Sequence, residues 1–170
     1  MSESTAAHRA AAAGQSARFA VVTVSDTRTL ETDTGGAAIV TALTTAGHQL
    51  VARAIVRDEP ADIDRQLRAW LAGGDLDVIV STGGTGISSR DTTIEIVERL
   101  LSKPLPGFGE LFRFLSWDQV GSAALLSRAT GGLAGETLLF ALPGSLAAVQ
   151  LGLEKLLVPE LPHLIWERRR

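Results

Sequence analysis

The sequence predicts a three-layer α/β sandwich with a mostly parallel central sheet. Short apolar, β-branched runs alternate with stretches of helical periodicity from residue 19 onward. Glycines fall where helices should stop, at Gly47 and at Gly73-Gly74. Strands separated by helices pair in parallel through right-handed crossovers, which covers both faces of the sheet.

Phe19 to Val24 is short, apolar and β-branched, the pattern of a buried strand. A helix is expected from Thr34 to Ala46, with Ile39 and Leu43 one turn apart. Leu50 to Val56 is a second strand. Pro60 suits the first turn of the next helix, where Ile63, Leu67, Trp70 and Leu71 share a face. The third strand, Leu76 to Val80, runs into Ser81-Thr82-Gly83-Gly84-Thr85-Gly86. Thr92 and Glu95 have the spacing of a capping box ahead of Ile94, Val97 and Leu101. Lys103 to Gly107 is a proline-broken connection, Glu110 to Trp117 a helix and Thr137 to Leu142 a strand. Pro143-Gly144-Ser145 turns the chain into a helix carrying Leu146, Val149, Leu153 and Leu156, and a short last helix is expected between Pro159 and Arg168.

At 170 residues and 45% hydrophobic content, the chain is the size of one domain. The domain is expected over 18–170, after a flexible alanine-rich tail, Met1 to Ala17, that makes a poor secretory signal. A net charge of −3 gives no footprint for nucleic acid or an anionic membrane surface. No stretch has the apolar length needed to span a bilayer. With no cysteine, disulfides, thiol catalysis and sulfur-ligated metals are excluded. A mildly acidic, cysteine-free chain is expected to be cytoplasmic. Arg168, Arg169 and Arg170 read as a solvated, frayed end.

In open α/β sheets, ligands sit beyond the carboxyl ends of the strands. Ser25-Asp26-Thr27, Asp58-Glu59, the Gly83 to Asp91 loop and Pro143-Gly144-Ser145 all fall at such ends. Glycines in Gly83-Gly84-Thr85-Gly86 let successive N–H groups point at one anion, and hydroxyls of Thr82, Thr85, Ser88 and Ser89 add donors. A helix starting near Thr92 adds its dipole. The tetrapeptide alone leaves phosphate binding and a plain strand-to-helix turn equally open. No Gly-Lys-Ser/Thr follows and no G-x-G-x-x-G is present, which removes the two commonest nucleotide loops. Asp58 and Asp91 suggest Mg²⁺ between carboxylate and phosphate, and thus metal-assisted phosphoryl or nucleotidyl chemistry. Taken singly, Asp58 also suits a helix start before Pro60, Asp91 a helix cap, and Asp26 a turn. No G-x-S-x-G elbow or metal-spaced histidine pair exists. Phe108, Phe112, Phe114 and Trp117 read as core or subunit interface.

Four stretches together resemble the MoaB/MogA family, whose fold recurs in gephyrin and in plant molybdenum-insertion proteins. They are Val22 to Arg28 with Asp33-Thr34-Gly35; Gly83-Gly84-Thr85-Gly86 with Arg90-Asp91-Thr92; Pro106 to Arg113; and Leu142-Pro143-Gly144-Ser145. The Ser116-Trp117-Asp118 region and the short C-terminus look closer to MoaB than to MogA. The resemblance implies binding of molybdopterin, a pterin carrying a dithiolene and a terminal phosphate. In catalytic members it also implies transfer of AMP from ATP to that phosphate with Mg²⁺. It places the essential acids at Asp58 and Asp91, which would also hold the Mg²⁺, and substrate binding at Ser25, Asp26, Thr82, Gly83, Gly84, Thr85, Gly86, Pro143, Gly144 and Ser145. Arg57 stands before Asp58 where active members commonly have proline. The resemblance further implies a homo-trimer or homo-hexamer and hand-over to other molybdenum cofactor pathway proteins. The alternative is a catalytically silent molybdopterin carrier. A CinA-type reading ranks last, because the first-strand turn differs and no second domain follows.

Overall fold

A computed structural model of the chain describes Ala12 and residues 14–170. Most of the expected tail, Met1 to Ala11 with Ala13, lies outside the described residues. Ser16 and Ala17, at its end, are bonded to the body of the protein. Ser16 Oγ donates to the Gly47 carbonyl at 2.8 Å, and the Ala17 N–H donates to His48 Nδ1 at 3.1 Å.

The elements run β1 (Arg18–Val24), α1 (Thr34–Thr45), β2 (Gln49–Val56), α2 (Pro60–Gly73), β3 (Val78–Thr82), α3 (Thr93–Leu100), β4 (Lys103–Pro104) and α4 (Pro106–Val120). A 3-10 turn (Gly121–Leu126), β5 (Thr130–Ala134), β6 (Thr137–Leu142), α5 (Leu146–Gly152), a π-turn (Leu153–Leu157) and α6 (Val158–Arg169) follow. The sheet order is β2-β1-β3-β6-β5-β4. β1, β2, β3 and β6 pair in parallel; β5 runs antiparallel to β6, and β4 to β5.

Alternation along the strands builds two cores, one on each face. Phe19 and Val21 of β1, Val78 and Val80 of β3, and Phe140 and Leu142 of β6 pack with Ile39, Leu43, Phe112, Val149, Leu161 and Ile165. The intervening Ala20, Val22, Ile79, Leu139 and Ala141 pack with Ile63, Leu67, Ile94, Ile96 and Val97. Helices α1, α4, α5 and α6 therefore cover one face, and α2 and α3 the other. The expected three-layer α/β sandwich is present.

Several expectations need correction. The third strand starts at Val78, two residues late, and runs to Thr82, so the glycine loop begins at its last hydrogen-bonded residue. Thr92 is the N-cap of α3 but makes no side-chain cap bond. Its box partner Glu95 instead pairs with Arg128, a charged acceptor–donor pair that outcompetes a return to the backbone. The Lys103 connection contains the short strand β4, and β5 was not anticipated. Thr130-Gly131-Gly132 has poor strand propensity, yet a Cβ at Gly131 would strike the Phe140 ring and one at Gly132 the Lys103 carbonyl. Close approach, not propensity, sets those residues. Helix α4 spans Pro106–Val120, longer at both ends than expected, with Pro106 in its first turn. After Ser145 the buried apolar side chains are Val149, Leu151, Leu153, Leu157, Leu161 and Ile165, while Leu146 is 41% exposed. The wider π-turn shifts full burial to positions four residues apart and leaves Leu156 partly buried, still packed against the core. Arg168 and Arg169 are not frayed: both pair with Asp77, which also accepts the Arg18 N–H at 2.8 Å. Burial alone would raise the Asp77 pKa, but these donors hold it below the usual carboxylate value.

Candidate functional site

The chain leaves β1 toward α1 on one face of the sheet and leaves the adjacent β3 toward α3 on the other. A crevice opens between such diverging connections, at the carboxyl ends of the strands. Here Gly83 and Gly84, at φ +93° and +62°, turn back over the end of β1. A Cβ at Gly83 would collide with the Val24 carbonyl, and one at Gly144 would stand 3.2 Å from the Gly83 α-carbon. Thr82 Oγ1 donates to the Pro143 carbonyl at 2.9 Å, tying the loop after β3 to the one after β6. Two requirements thus coincide at Gly83, positive φ and backbone contact. Gly83→Ala is expected to destabilise the protein by about 1–3 kcal/mol, seen as a lower midpoint in urea unfolding with an unchanged slope.

The α1 side of the crevice is fixed by Asp33, which is 3% exposed. It caps α1 by accepting the Gly36 N–H at 2.9 Å, and it also accepts from Thr23 Oγ1 at 2.7 Å and Arg53 Nη2 at 2.8 Å. Burial would raise its pKa; the bonds from Arg53, Gly36 and Thr23 outweigh that and hold it low. Above this anchor lies a cavity of about 70 Å³ lined in part by Ser25, Arg28, Thr34, Gly35, Gly83 and Gly144. Ser145 caps α5, its Oγ accepting the Ala148 N–H at 3.3 Å. Ser25 Oγ accepts the N–H groups of Thr27 and Arg28, each at 3.2 Å.

The acids gather on the other side. The Asp58 N–H donates to Asp26 Oδ1 at 3.1 Å, joining the ends of β1 and β2. Arg90 Nη2 reaches Asp26 Oδ2 at 2.9 Å, Glu59 Oε1 at 3.0 Å and the Asp58 carbonyl at 3.2 Å. One guanidinium therefore clamps three strand-end loops. Asp58 Oδ1 is buried and has no hydrogen-bond partner among the described residues. Burial, then the charges of Asp91 and Asp26, raise the Asp58 pKa. Asp91 goes the other way: the Ser88 hydrogen bond holds it below its ordinary value, with the Ser88 and Gly86 N–H groups contributing. Its Oδ2 accepts the Ser88 N–H at 3.0 Å.

All four strand-end segments singled out in the sequence thus meet at one end of the sheet. Three assignments change in detail. The Thr82 hydroxyl turns inward to Pro143 and is no donor to the loop. Asp58 is not a helix cap, since α2 has Glu59 at its N-cap position with no side-chain bond, and Asp91 braces its own loop. Arg90 and Arg28 were legible only as parts of a motif. A cavity of about 570 Å³ lies at the opposite end of the sheet, near Glu136 and Arg168, away from these groups.

The sequence profile described as "Probable molybdopterin binding domain" matches residues 20–163. The chain belongs to the MoaB/MogA family of molybdopterin-binding domains. It is 54% identical over 151 residues to molybdenum cofactor biosynthesis protein B of Staphylococcus carnosus, covering 87% of this chain and 88% of that one. A crystal structure of a molybdenum cofactor biosynthesis protein B superposes with a TM-score of 0.89 at 45% identity, over 93% of this chain and 99% of the other. A MogA structure gives 0.81 at 33% identity, over 89% and 99%. Within the family, then, the chain stands nearer MoaB than MogA. The profile takes in the strand ends after β1, β2, β3 and β6, so the crevice lies wholly inside the family domain.

Proposed function

We propose that the protein acts in molybdenum cofactor biosynthesis, binding molybdopterin and transferring AMP from ATP to its terminal phosphate. What carries this reading is the pairing of Asp58 with Asp91 beside the Gly83 to Gly86 loop: the Asp91 charge lies close enough to raise the Asp58 pKa, and one buried Asp58 carboxylate oxygen is left unpartnered among the described residues. Mg²⁺ fits such a place, since it is commonly held by one or two carboxylates plus phosphate oxygens. When bound, Mg²⁺ would neutralise charge developing on the phosphoryl oxygens.

In the reaction, an oxygen of the pterin phosphate forms a bond to the α-phosphorus of ATP. The bond from that phosphorus to the α–β bridging oxygen breaks, and pyrophosphate leaves. The loop N–H groups, with Ser25 and the Pro143-Gly144-Ser145 turn, hold and orient phosphate, and Asp58 and Asp91 would hold the cation. Catalysis comes from positioning and charge stabilisation, with no covalent protein intermediate.

One observation favours a second reading, a silent molybdopterin carrier: Asp91 is already engaged in its own loop. Incubating the protein with molybdopterin, ATP and Mg²⁺, and following the adenylylated pterin by chromatography, separates the two. The enzyme reading expects metal-dependent product that Asp91→Asn abolishes while pterin binding persists. Asparagine can still accept the Ser88 N–H, so the loss would report the missing charge. Pterin binding with no product from the unaltered protein would establish the carrier.

We also infer a homo-trimer or homo-hexamer in the cytoplasm, passing its product to other proteins of the pathway. Supporting assembly, α4 and the turn after it expose Phe114 (71%), Trp117 (60%) and Leu125 (82%), with Leu111 and Leu126 beside them. Large apolar side chains exposed together on one helix and the turn after it suit a contact between subunits. Among the described residues, no helix is long and apolar enough to cross a membrane.

A further inference from the structure

Thr93 is fully buried in the first turn of α3, and its Oγ1 has no hydrogen-bond partner among the described residues. Buried hydroxyls are nearly always paired, because an unpaired one loses its bond to water and gains nothing in return. A Cβ built on Gly84 would collide with Thr93 Oγ1 and lie 2.9 Å from Asp58 Oδ1. That second oxygen is also buried and unpartnered. The Thr93 N–H meanwhile donates to the Gly84 carbonyl at 3.0 Å, which fixes the turn against the loop. A hydroxyl and a carboxylate oxygen therefore flank the bare α-carbon of Gly84, and any side chain at residue 84 would fill the space they share.

We propose that Thr93 is a positioning residue for Asp58: its hydroxyl donates to Asp58 Oδ1 when a Mg²⁺–nucleotide engages the carboxylate, and so sets the orientation of that carboxylate toward the cation. The inference rests on the adenylyl-transfer reading above. Carboxylates that ligate metals are commonly oriented by an outer hydrogen bond, and losing such a bond weakens metal affinity by about 10–100-fold. A purely structural threonine would show the reverse pattern, a bond within the fold and no effect on the ligand. Thr93 has no such bond.

Thr93→Val and Thr93→Ser separate these roles in the full-length protein. Valine keeps the shape and removes the hydroxyl; serine keeps the hydroxyl. Binding of ATP with Mn²⁺ in place of Mg²⁺ is read by electron paramagnetic resonance of free Mn²⁺, alongside thermal unfolding without ligand. Thr93→Val is expected to weaken Mn²⁺–ATP binding at least about tenfold, with a melting temperature equal to or above that of the unaltered protein, because no hydrogen bond within the fold is lost. Thr93→Ser is expected to restore the affinity. Unchanged affinity in Thr93→Val, a fall in its melting temperature, or failure of serine to rescue would each overturn the assignment. If the unaltered protein fails to bind Mn²⁺–ATP, the adenylyl-transfer reading falls and this inference with it; the first three results would leave that reading standing.

Discussion

Asp58→Asn is expected to lower AMP transfer to molybdopterin by about 10²–10³-fold, the usual consequence of removing one electrostatic contact to a reacting phosphoryl or acyl group. The same substitution is expected to stabilise the fold at neutral pH. Burial, Asp91 and Asp26 raise the Asp58 pKa in the folded state. An acid whose folded pKa lies above its unfolded value is unfavourable to folding once ionised, and the penalty sets in as pH rises through the folded pKa. Below about pH 4 it is protonated in both states and the penalty vanishes. The melting temperature of Asp58→Asn should therefore exceed that of the unaltered protein at pH 7, with the two converging in acid. Activity moves oppositely, since only the ionised carboxylate holds a cation. Equal transfer rates for the two proteins would remove Asp58 from its proposed role, whatever the unfolding curves gave.

The largest effect on stability is expected at Asp33. Asp33→Ala removes the α1 cap, the acceptor for Thr23 and the partner of Arg53 together. Breaking a buried ion pair from one side costs about 3–5 kcal/mol. The Arg53 side chain retains 20% exposure and can turn partly to water, which puts the expected loss near the lower figure, about 3 kcal/mol. In a domain of this size that is a melting-temperature drop of roughly 6–12 °C. Asp33→Asn should lose less, because an amide oxygen still caps Gly36. Since the folded pKa of Asp33 is lowered, its contribution is complete above about pH 4 and is lost as pH falls through the folded value. Calorimetry of the three proteins at pH 7 and pH 3 tests this: Asp33→Ala melting with the unaltered protein at pH 7 would refute it.

Most of this architecture was legible because its signals are local. The continuous apolar runs of β1, β3 and β6 could only be strands buried on both faces, and Gly47 and Gly74 mark helix ends through their own positive φ. That the glycine loop, Asp26, Asp58 and Pro143 share one end of the sheet followed from topology. What the sequence hid depends on partners far along the chain. Arg90 clamps Asp26 from 64 residues away, and nothing in Arg90-Asp91 announces that its guanidinium reaches back to β1. Glu95 has the spacing to return to Thr92 but meets Arg128 across 33 residues. β5 was hidden because the tight packing of Phe140 and Lys103 demands glycines there, which local propensity reads as loop. Thr93 carried no signal, because an unsatisfied hydroxyl is a property of its surroundings.

The carboxylate of Asp77 gathers both arms of the chain, receiving the backbone of Arg18 from one and the guanidinium groups of Arg168 and Arg169 from the other. The polypeptide thus enters and leaves the domain at a single point, at the amino ends of the strands. β3 alone, five residues long, puts roughly 17 Å between that point and the glycine loop. Arg18 and Arg169 therefore sit side by side at the floor of the molecule. One carboxylate thereby fastens both ends at the floor, and the crevice at the far end of the sheet takes no part in holding them.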